Sequence, residues 1–433
     1  MSGPRIGFAG MTHLGLVSAV AGAARGFEVV AFDADADHIA RLQRRQLPVV
    51  EPDLPEQLEK HRRAIAFTAS ASELGRCGIV YVAPDVATDD AGHSQLRPVR
   101  ALIATVAAVL GAEATLVVLS QVPPGFTRSL PAPARRFCQV ETLVFGDAIR
   151  RAVSPERFIV GCADPGAALP AALDEFLAAF GCPIVKMGYE SAELAKIAIN
   201  VCLVASISAA NTLAELCERL GADWAEIEPA LRLDRRIGAH AYLSPGLGIA
   251  GGNLERDLAT VCDLADTLGT DAGVVRAWTE NSRHRRDWAL GQLHDRVLGE
   301  RPDAVIALLG LAYKADTAST RNSPALALLA ALTPFAVRAW DPVVSTSVVR
   351  HPRLVQAASA LDACAGADAL VIMTPWAEFR RLSPAAIAER LRGRVVVDPY
   401  GVLAPDACRA AGLEHVRLGS PRPPRPVRAV PWS

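Results

Sequence analysis

Three groups of residues in this chain have types and spacings that could do chemistry. The first is Gly10-Met-Thr-His-Leu-Gly15, which follows the apolar run Arg5 to Ala9 and opens an Ala-rich segment reaching Gly26; the next apolar run closes on Phe32-Asp33. A strand, a glycine turn, a helix and an acid about 20 residues on are the parts of a dinucleotide site. The turn brings backbone N–H groups and a helix N-terminus to the pyrophosphate, and the acid takes the ribose hydroxyls, which favours NAD over NADP. Thr12 stands where the middle glycine is usual, so a side chain enters the place where backbone and pyrophosphate meet. Its hydroxyl either replaces a backbone donor or loosens binding. Gly10, Thr12, His13, Leu14, Gly15 and Asp33 are the resulting candidates for the cofactor. The second group is Lys196 and Asn200, four residues apart and so on one helix face, able to point into one cleft. Their flanks are apolar, the setting in which a lysine works as acid or base, although a solvated Lys and a surface Asn have the same spacing. The third is Gly248-Ile-Ala-Gly-Gly-Asn253-Leu-Glu-Arg-Asp257, a glycine-rich loop ending in an acid that either orients a water or the Lys, or only complements a helix N-terminus.

The elements that must hold these groups follow from the hydropathy pattern. Short β-rich runs at Arg5 to Ala9, Glu28 to Phe32, Ile79 to Ala83 and Leu116 to Ser120 are separated by helix-length segments, which predicts a parallel sheet with crossover helices. From Ser191 to Leu220 no Gly or Pro interrupts, and Gly221 supplies a stop. One helix of about 30 residues would span about 45 Å, more than a small domain needs for itself, and suits a domain connection and a dimer contact. A second series starts at Val305 to Gly310 and recurs at Ala336 to Asp341, Ala369 to Thr374 and Val395 to Asp398, predicting another parallel sheet. The expected fold class is α/β, with two Rossmann-like doubly wound parallel-sheet domains joined by a long central helix. Residues 1–190 would form the NAD-binding domain, 191–300 the central helical and dimerisation domain, and 301–418 the second Rossmann-like domain. The tail 419–433, rich in Pro and Arg, would be extended or disordered.

Composition narrows the function classes. With 433 residues, 51% hydrophobic and a formal charge of −1, the chain has the profile of a well-packed enzyme and lacks the basic footprint of a nucleic-acid binder. Apolar runs are broken before the ~20 residues of a membrane helix, so no membrane partner is expected and the cytoplasm is the default compartment. The nine Cys are scattered without metal spacing and read as reduced, mostly buried side chains. No metal is expected.

Taken together, the segments resemble the UDP-glucose/GDP-mannose dehydrogenase family, from Ile6 to about Gly419. Gly10 to Leu16 matches the family's glycine turn, and Leu47-Pro-Val-Val-Glu-Pro-Asp-Leu54 a Pro-x-x-Glu-Pro-Gly-Leu loop, with Asp53 for Gly. Ser120-Gln-Val-Pro-Pro-Gly125 is similar to Ser-Thr-Val-Pro-x-Gly, with Gln121 for Thr, and Ser191 to Asn200 to the helix bearing the family's active-site Lys and Asn. Gly310-Leu-Ala-Tyr-Lys314 through Arg321-Asn-Ser-Pro324 and Thr374-Pro-Trp376 match the second α/β domain. The resemblance implies NAD as cofactor, with Pro84, Gln121 and Arg321 added to its contacts, and a nucleotide sugar as substrate. It implies Glu141, Lys196, Asn200, Arg236, Tyr242, Gly248 and Lys314 around that substrate, and a homodimer through the central helix. Lys314 and Arg321 would suit diphosphate oxygens, Tyr242 to Gly248 a backbone clamp, and Glu141 a sugar hydroxyl or a water.

The family oxidises a nucleotide-sugar hydroxymethyl group to a carboxylate with two NAD, through a Cys in a Gly-x-Gly-Gly-x-Cys-x-x-Lys-Asp loop. Here Asn253 takes the nucleophile's place, and an amide nitrogen delocalised into its carbonyl cannot replace a thiolate. Cys262 lies beyond the loop and reads as a packing residue. Phe145 replaces an acid in Val140-Glu-Thr-Leu-Val-Phe-Gly146, and Tyr400 an Arg in Asp398-Pro-Tyr400. The expected reaction is a two-electron oxidation assisted by Lys196, Asn200, Asp257 and Glu141, with Asn253 at the same centre. Epimerisation through transient oxidation, and a binding homologue without turnover, stay open as alternatives.

Overall fold

The computed structural model describes residues 3–89, 92–131, 133 and 135–421. Most of the proline-rich tail lies outside the described residues. Contacts divide the chain into Met1–Ile199 and Asn200–Ser433.

The first unit is built on an eight-stranded sheet: β1 (Ile6–Ala9), β2 (Val29–Phe32), β3 (Ile65–Thr68), β4 (Ile79–Val82), β5 (Thr115–Val118), β6 (Arg136–Gln139), β7 (Phe158–Cys162) and β8 (Ile184–Gly188), in the order β3-β2-β1-β4-β5-β6-β7-β8. β1, β2, β4 and β5 are buried at every position, as continuous apolar runs must be in a sheet covered on both faces. The helix His13–Ala24 covers one face, packing with Phe8, Tyr81 and Phe176; the helix Arg97–Ala107 covers the other with Val99, Ile103 and Val106. The expected all-parallel sheet needs one correction, because β6 and β7 pair antiparallel, Cys138 opposite Gly161. Gly161 permits this pairing: a Cβ there would lie 2.3 Å from Cys138 Sγ.

The second unit carries a six-stranded, wholly parallel sheet: β9 (Val305–Leu309), β10 (Ala336–Trp340), β11 (Leu354–Gln356), β12 (Ala369–Ile372), β13 (Val395–Val397) and β14 (Glu414–Val416), in the order β11-β10-β9-β12-β13-β14. The first six strands of the first sheet have the same order, so each sheet has its topological switch point between its first and fourth strands. Ligands of doubly wound sheets bind outside the strand C-termini there.

The long helix runs Tyr189–Leu220, 32 residues, and the boundary between the units falls within it. Contrary to the expectation that every apolar run breaks short of a membrane helix, this one is by length and composition able to cross a membrane. Its polar residues Asn200, Ser208 and Asn211 are buried within the second unit, where Asn211 Oδ1 accepts the Gly246 N–H (2.8 Å), the pattern of a core helix. Two further helices, Asn253–Leu268 and Gly273–Arg286, pack beside it through Val204, Leu258 and Val275. Glu218 on the long helix accepts from Arg285, Trp288 Nε1 and the Gly419 N–H (3.0, 2.8 and 3.1 Å), so the tail is fixed at its first residue. All nine cysteines are free; six are buried, Cys182 and Cys262 are half-buried and Cys202 is exposed.

Candidate active site

The glycine turn lies at the switch point of the first sheet. Gly10 has φ +94°, and a Cβ on Gly15 would fall 1.9 Å from the Gly10 carbonyl oxygen, so only glycine permits this approach of turn and helix. Asp33, just past β2, accepts the Met11 N–H (2.8 Å) through Oδ2 and the Asp35 N–H (3.0 Å) through Oδ1. A cradle that a Cβ would fill, with an acid at the end of the neighbouring strand, fits a dinucleotide. Pro84 packs against Gly10, 2.9 Å from where a Cβ would stand.

The His13 side chain turns inward from the glycine turn. It is buried, its Nε2 lies 2.9 Å from Glu51 Oε2, and its ring stacks on Phe145 at 4.1 Å. Glu51 also accepts the N–H groups of Gly146 (3.1 Å) and Ala148 (2.9 Å). This buried cluster ties the glycine turn to the loop that carries Glu141, and only the His13 backbone is left for a cofactor.

In the same unit Lys196 Nζ lies 3.1 Å from Glu141 Oε1, with both side chains largely shielded. They line one small pocket with Ser120, Gln121, Gln139 and Glu193. Glu193 was not evident from the sequence, although an acid three residues before Lys196 on an apolar helix was the available signal. It is buried and receives the N–H groups of Gly125 (2.6 Å) and Thr127 (2.8 Å), fixing the loop that presents Gln121. Burial raises its carboxyl above the ordinary range, against the pull of those hydrogen bonds.

In the second unit Asn200, one helical turn beyond Lys196, donates from Nδ2 to Asp257 Oδ2 at 2.5 Å, and both residues are buried. Arg256 Nε lies 3.5 Å from the other Asp257 oxygen. Asn253 is the exposed first residue of the helix that carries Asp257 one turn later, on the same face. The preceding loop is clasped by the segment 313–322. The Arg321 carbonyl accepts the Gly251 N–H (3.2 Å), Asn322 Nδ2 donates to the Gly251 carbonyl (2.9 Å) and to Glu255, and the Tyr313 ring lies beneath Gly251. The Arg321 side chain passes Gly252, 2.9 Å from where a Cβ would stand, which places it with the candidate catalytic loop. Glu255, not singled out from the sequence, has its carboxyl raised by burial. Lys314 Nζ lies 5.9 Å from the centre of the Tyr313 ring. Gly248 has φ +74° with the Ser282 carbonyl beneath it, and Ile249 N donates to Ser282 Oγ (2.7 Å). Tyr400 is inserted beside Leu247, and burial pushes its phenol up to about 12. Tyr242 is exposed, and Arg236 is exposed and paired with Asp234 at 2.6 Å, so neither joins these clusters within the chain.

Three models of one family match this chain: the NAD binding domain of the UDP-glucose/GDP-mannose dehydrogenase family over residues 4–176, its central domain over 190–283 and its UDP binding domain over 307–405. The UDP-glucose 6-dehydrogenase of Pseudomonas aeruginosa is 30% identical, covering 95% of this chain and 97% of its own. That of Bacillus subtilis is 28% identical over 96% and 93%. Among solved structures, a UDP-glucose dehydrogenase from Pyrobaculum islandicum superposes with a TM-score of 0.86 at 26% identity, over 96% of this chain and 98% of that one. With all three domains matched in order around these two sets of side chains, the chain belongs to the UDP-glucose/GDP-mannose dehydrogenase family.

Proposed function

We propose that this protein oxidises one CH–OH group of a nucleotide sugar by two electrons, leaving an aldehyde or ketone. The enzyme class and NAD as cofactor follow from the family. The observation that carries the finer reading is Asn253, an amide at the head of the helix that bears Asp257, where the family's loop presents its nucleophilic Cys.

Oxidation of an alcohol carbon releases a hydride, for which bound NAD is the acceptor, and a proton from oxygen. The proton falls to the Lys196–Glu141 pair. One Lys N–H is committed to Glu141, and the others can donate to the substrate oxygen as negative charge grows on it. Glu141 is the adjoining acceptor through which the proton can leave. Asn200, held by Asp257, keeps its amide oxygen oriented as an acceptor for a sugar hydroxyl. Glu193 fixes the loop behind them. Neither oxidation nor proton transfer requires a thiol.

The same reading places Gly10, Thr12, Leu14, Gly15, Asp33, Pro84 and Gln121 on the cofactor side. Arg321 is assigned with them to the cofactor, Tyr242, Gly248 and Lys314 stand on the nucleotide-sugar side, and Arg236 is offered to the substrate of a second copy. Exposed Leu194, Leu213, Leu216 and Leu220 on the long helix support pairing of two copies there. The cytoplasm is the compartment this chemistry implies, and no nucleic acid or membrane is required.

Purified protein incubated with NAD and a panel of nucleotide sugars should give one NADH per sugar and a product about 2 Da lighter. Two NADH per sugar and a carboxylate product would overturn the two-electron reading, as would an epimer of unchanged mass.

A further inference from the structure

The first helix receives its N-terminal cap from across the switch point. An N-cap Thr usually accepts the N–H of the second or third helical residue. Thr12 is the N-cap here and makes no such bond. Its Oγ1 instead accepts the N–H of Asp85 (2.8 Å), in the segment after β4, while Asp85 Oδ2 accepts the N–H of Leu14, the second residue of the helix, at 3.4 Å. Asp85 thus caps the helix from a distant part of the chain, and Thr12 holds its backbone in place.

An N–H at the head of a dinucleotide-binding helix is a donor that the pyrophosphate uses, because the helix N-terminus carries partial positive charge. A carboxylate and a phosphate oxygen cannot both take the Leu14 N–H. We propose that Asp85 competes with the pyrophosphate and so sets the affinity for NAD, with Thr12 as the residue that positions it. The proposal rests on the assignment of this turn to NAD. It also gives Thr12 a purpose: the hydroxyl holds the Asp85 backbone close enough for its side chain to reach Leu14. Asp85 is exposed, so its carboxylate can turn into water when the pyrophosphate arrives.

The test is calorimetric titration of the full chain with NAD, ADP-ribose and adenosine, for wild type, Asp85→Asn, Asp85→Ser and Thr12→Gly. Both Asp85 variants should bind NAD and ADP-ribose about tenfold more tightly than wild type, with adenosine unchanged because it carries no pyrophosphate. Thr12→Gly should shift in the same direction by a smaller factor. The ratio of Asp85→Ser to wild-type affinity should fall as salt screens the carboxylate. Without ligand, Asp85→Ser should melt below wild type, since its helix has lost a cap, and it should gain more from added ADP-ribose. Wild type binding NAD while both Asp85 variants hold ADP-ribose no more tightly would overturn the proposal and leave the NAD assignment standing. Binding of neither ligand by any of the four proteins would remove both, whereas binding by the Asp85 variants alone would be the proposal in its strongest form.

Discussion

The two sheets present the same switch point twice, with different outcomes. In each, a glycine of positive φ follows the central strand, Gly10 (+94°) after β1 and Gly310 (+92°) after β9. In each, an acid past the neighbouring strand accepts the next N–H of the turn, Asp33 from Met11 (2.8 Å) and Asp341 from Leu311 (2.6 Å). Asp33 is half-buried and spends its second oxygen on Asp35 at the exposed rim, so it keeps lone pairs for hydroxyls. Asp341 is buried and its two oxygens receive five donors: the N–H groups of Leu311, Ala312, Val343 and Val344, and Trp376 Nε1. One acid is left available for a ligand and the other is a brace. A β-turn-acid pattern therefore fixes geometry, and the remaining hydrogen-bond capacity decides which copy can take a ribose.

The largest effect expected from breaking this contrast is at Asp341. Asp341→Ala leaves five donors without their acceptor inside the second unit, four of them backbone N–H groups. A loss of at least about 3 kcal/mol is expected, read as a lower urea midpoint. A change below about 1 kcal/mol would show that Asp341 is not a brace.

Asp33→Ala should do the reverse. Stability should change little, since Met11 and Asp35 can turn to water, while NAD should bind about 2 kcal/mol more weakly, roughly thirtyfold, through loss of charged hydrogen bonds to the ribose. The preference for NAD over NADP should narrow in the same titration, because the carboxylate that repels a 2′-phosphate is gone. An unaltered NAD affinity would mean that the two acids have the same, structural, job.

What could be read from the sequence follows the range of each interaction. Gly10, Gly15 and Asp33 form one short unit, and the run without Gly or Pro from Ser191 marks a helix that begins at Tyr189 and ends at Leu220. The second series of strands was equally plain in its apolar runs. Short strands such as β6, β11 and β14, whose exposed or half-buried residues blur the pattern, were not visible, and nor was the antiparallel pairing of β7. In the site, Lys196 and Asn200 announced themselves by spacing. Asp257 and Glu141 were candidates too, but their pairing with Asn200 and Lys196, across 57 positions in the first case, was not legible, and neither were the contacts of Thr12 with Asp85, 73 positions away, and of His13 with Glu51, 38 away. Periodicity has no term for contacts at such separations, and it cannot tell that Asp341, with the same surroundings as Asp33 in sequence, is already saturated.

The smallest effect belongs to a second feature that the two crevices share. A threonine hydroxyl bridges each of them, from opposite walls: Thr12 on the helix side accepts from Asp85 after β4, and Thr374 after β12 donates to the Ala312 carbonyl (2.6 Å). Thr374 is fully buried, and its Cβ lies only 2.5 Å from where a Cβ on Gly310 would stand, so the wall is packed against the turn and admits little else. Thr374→Val keeps the shape and removes the donor, leaving the Ala312 carbonyl without its hydroxyl in a place closed to water. The expected cost is about 1 kcal/mol, a fall of a few degrees in Tm for the second unit. NAD affinity should be unmoved, because this threonine braces a turn, as Asp341 does. If Thr374→Val instead weakens NAD binding by the margin expected of Asp33→Ala, the division between a ligand-taking crevice and a braced one fails at its weakest joint.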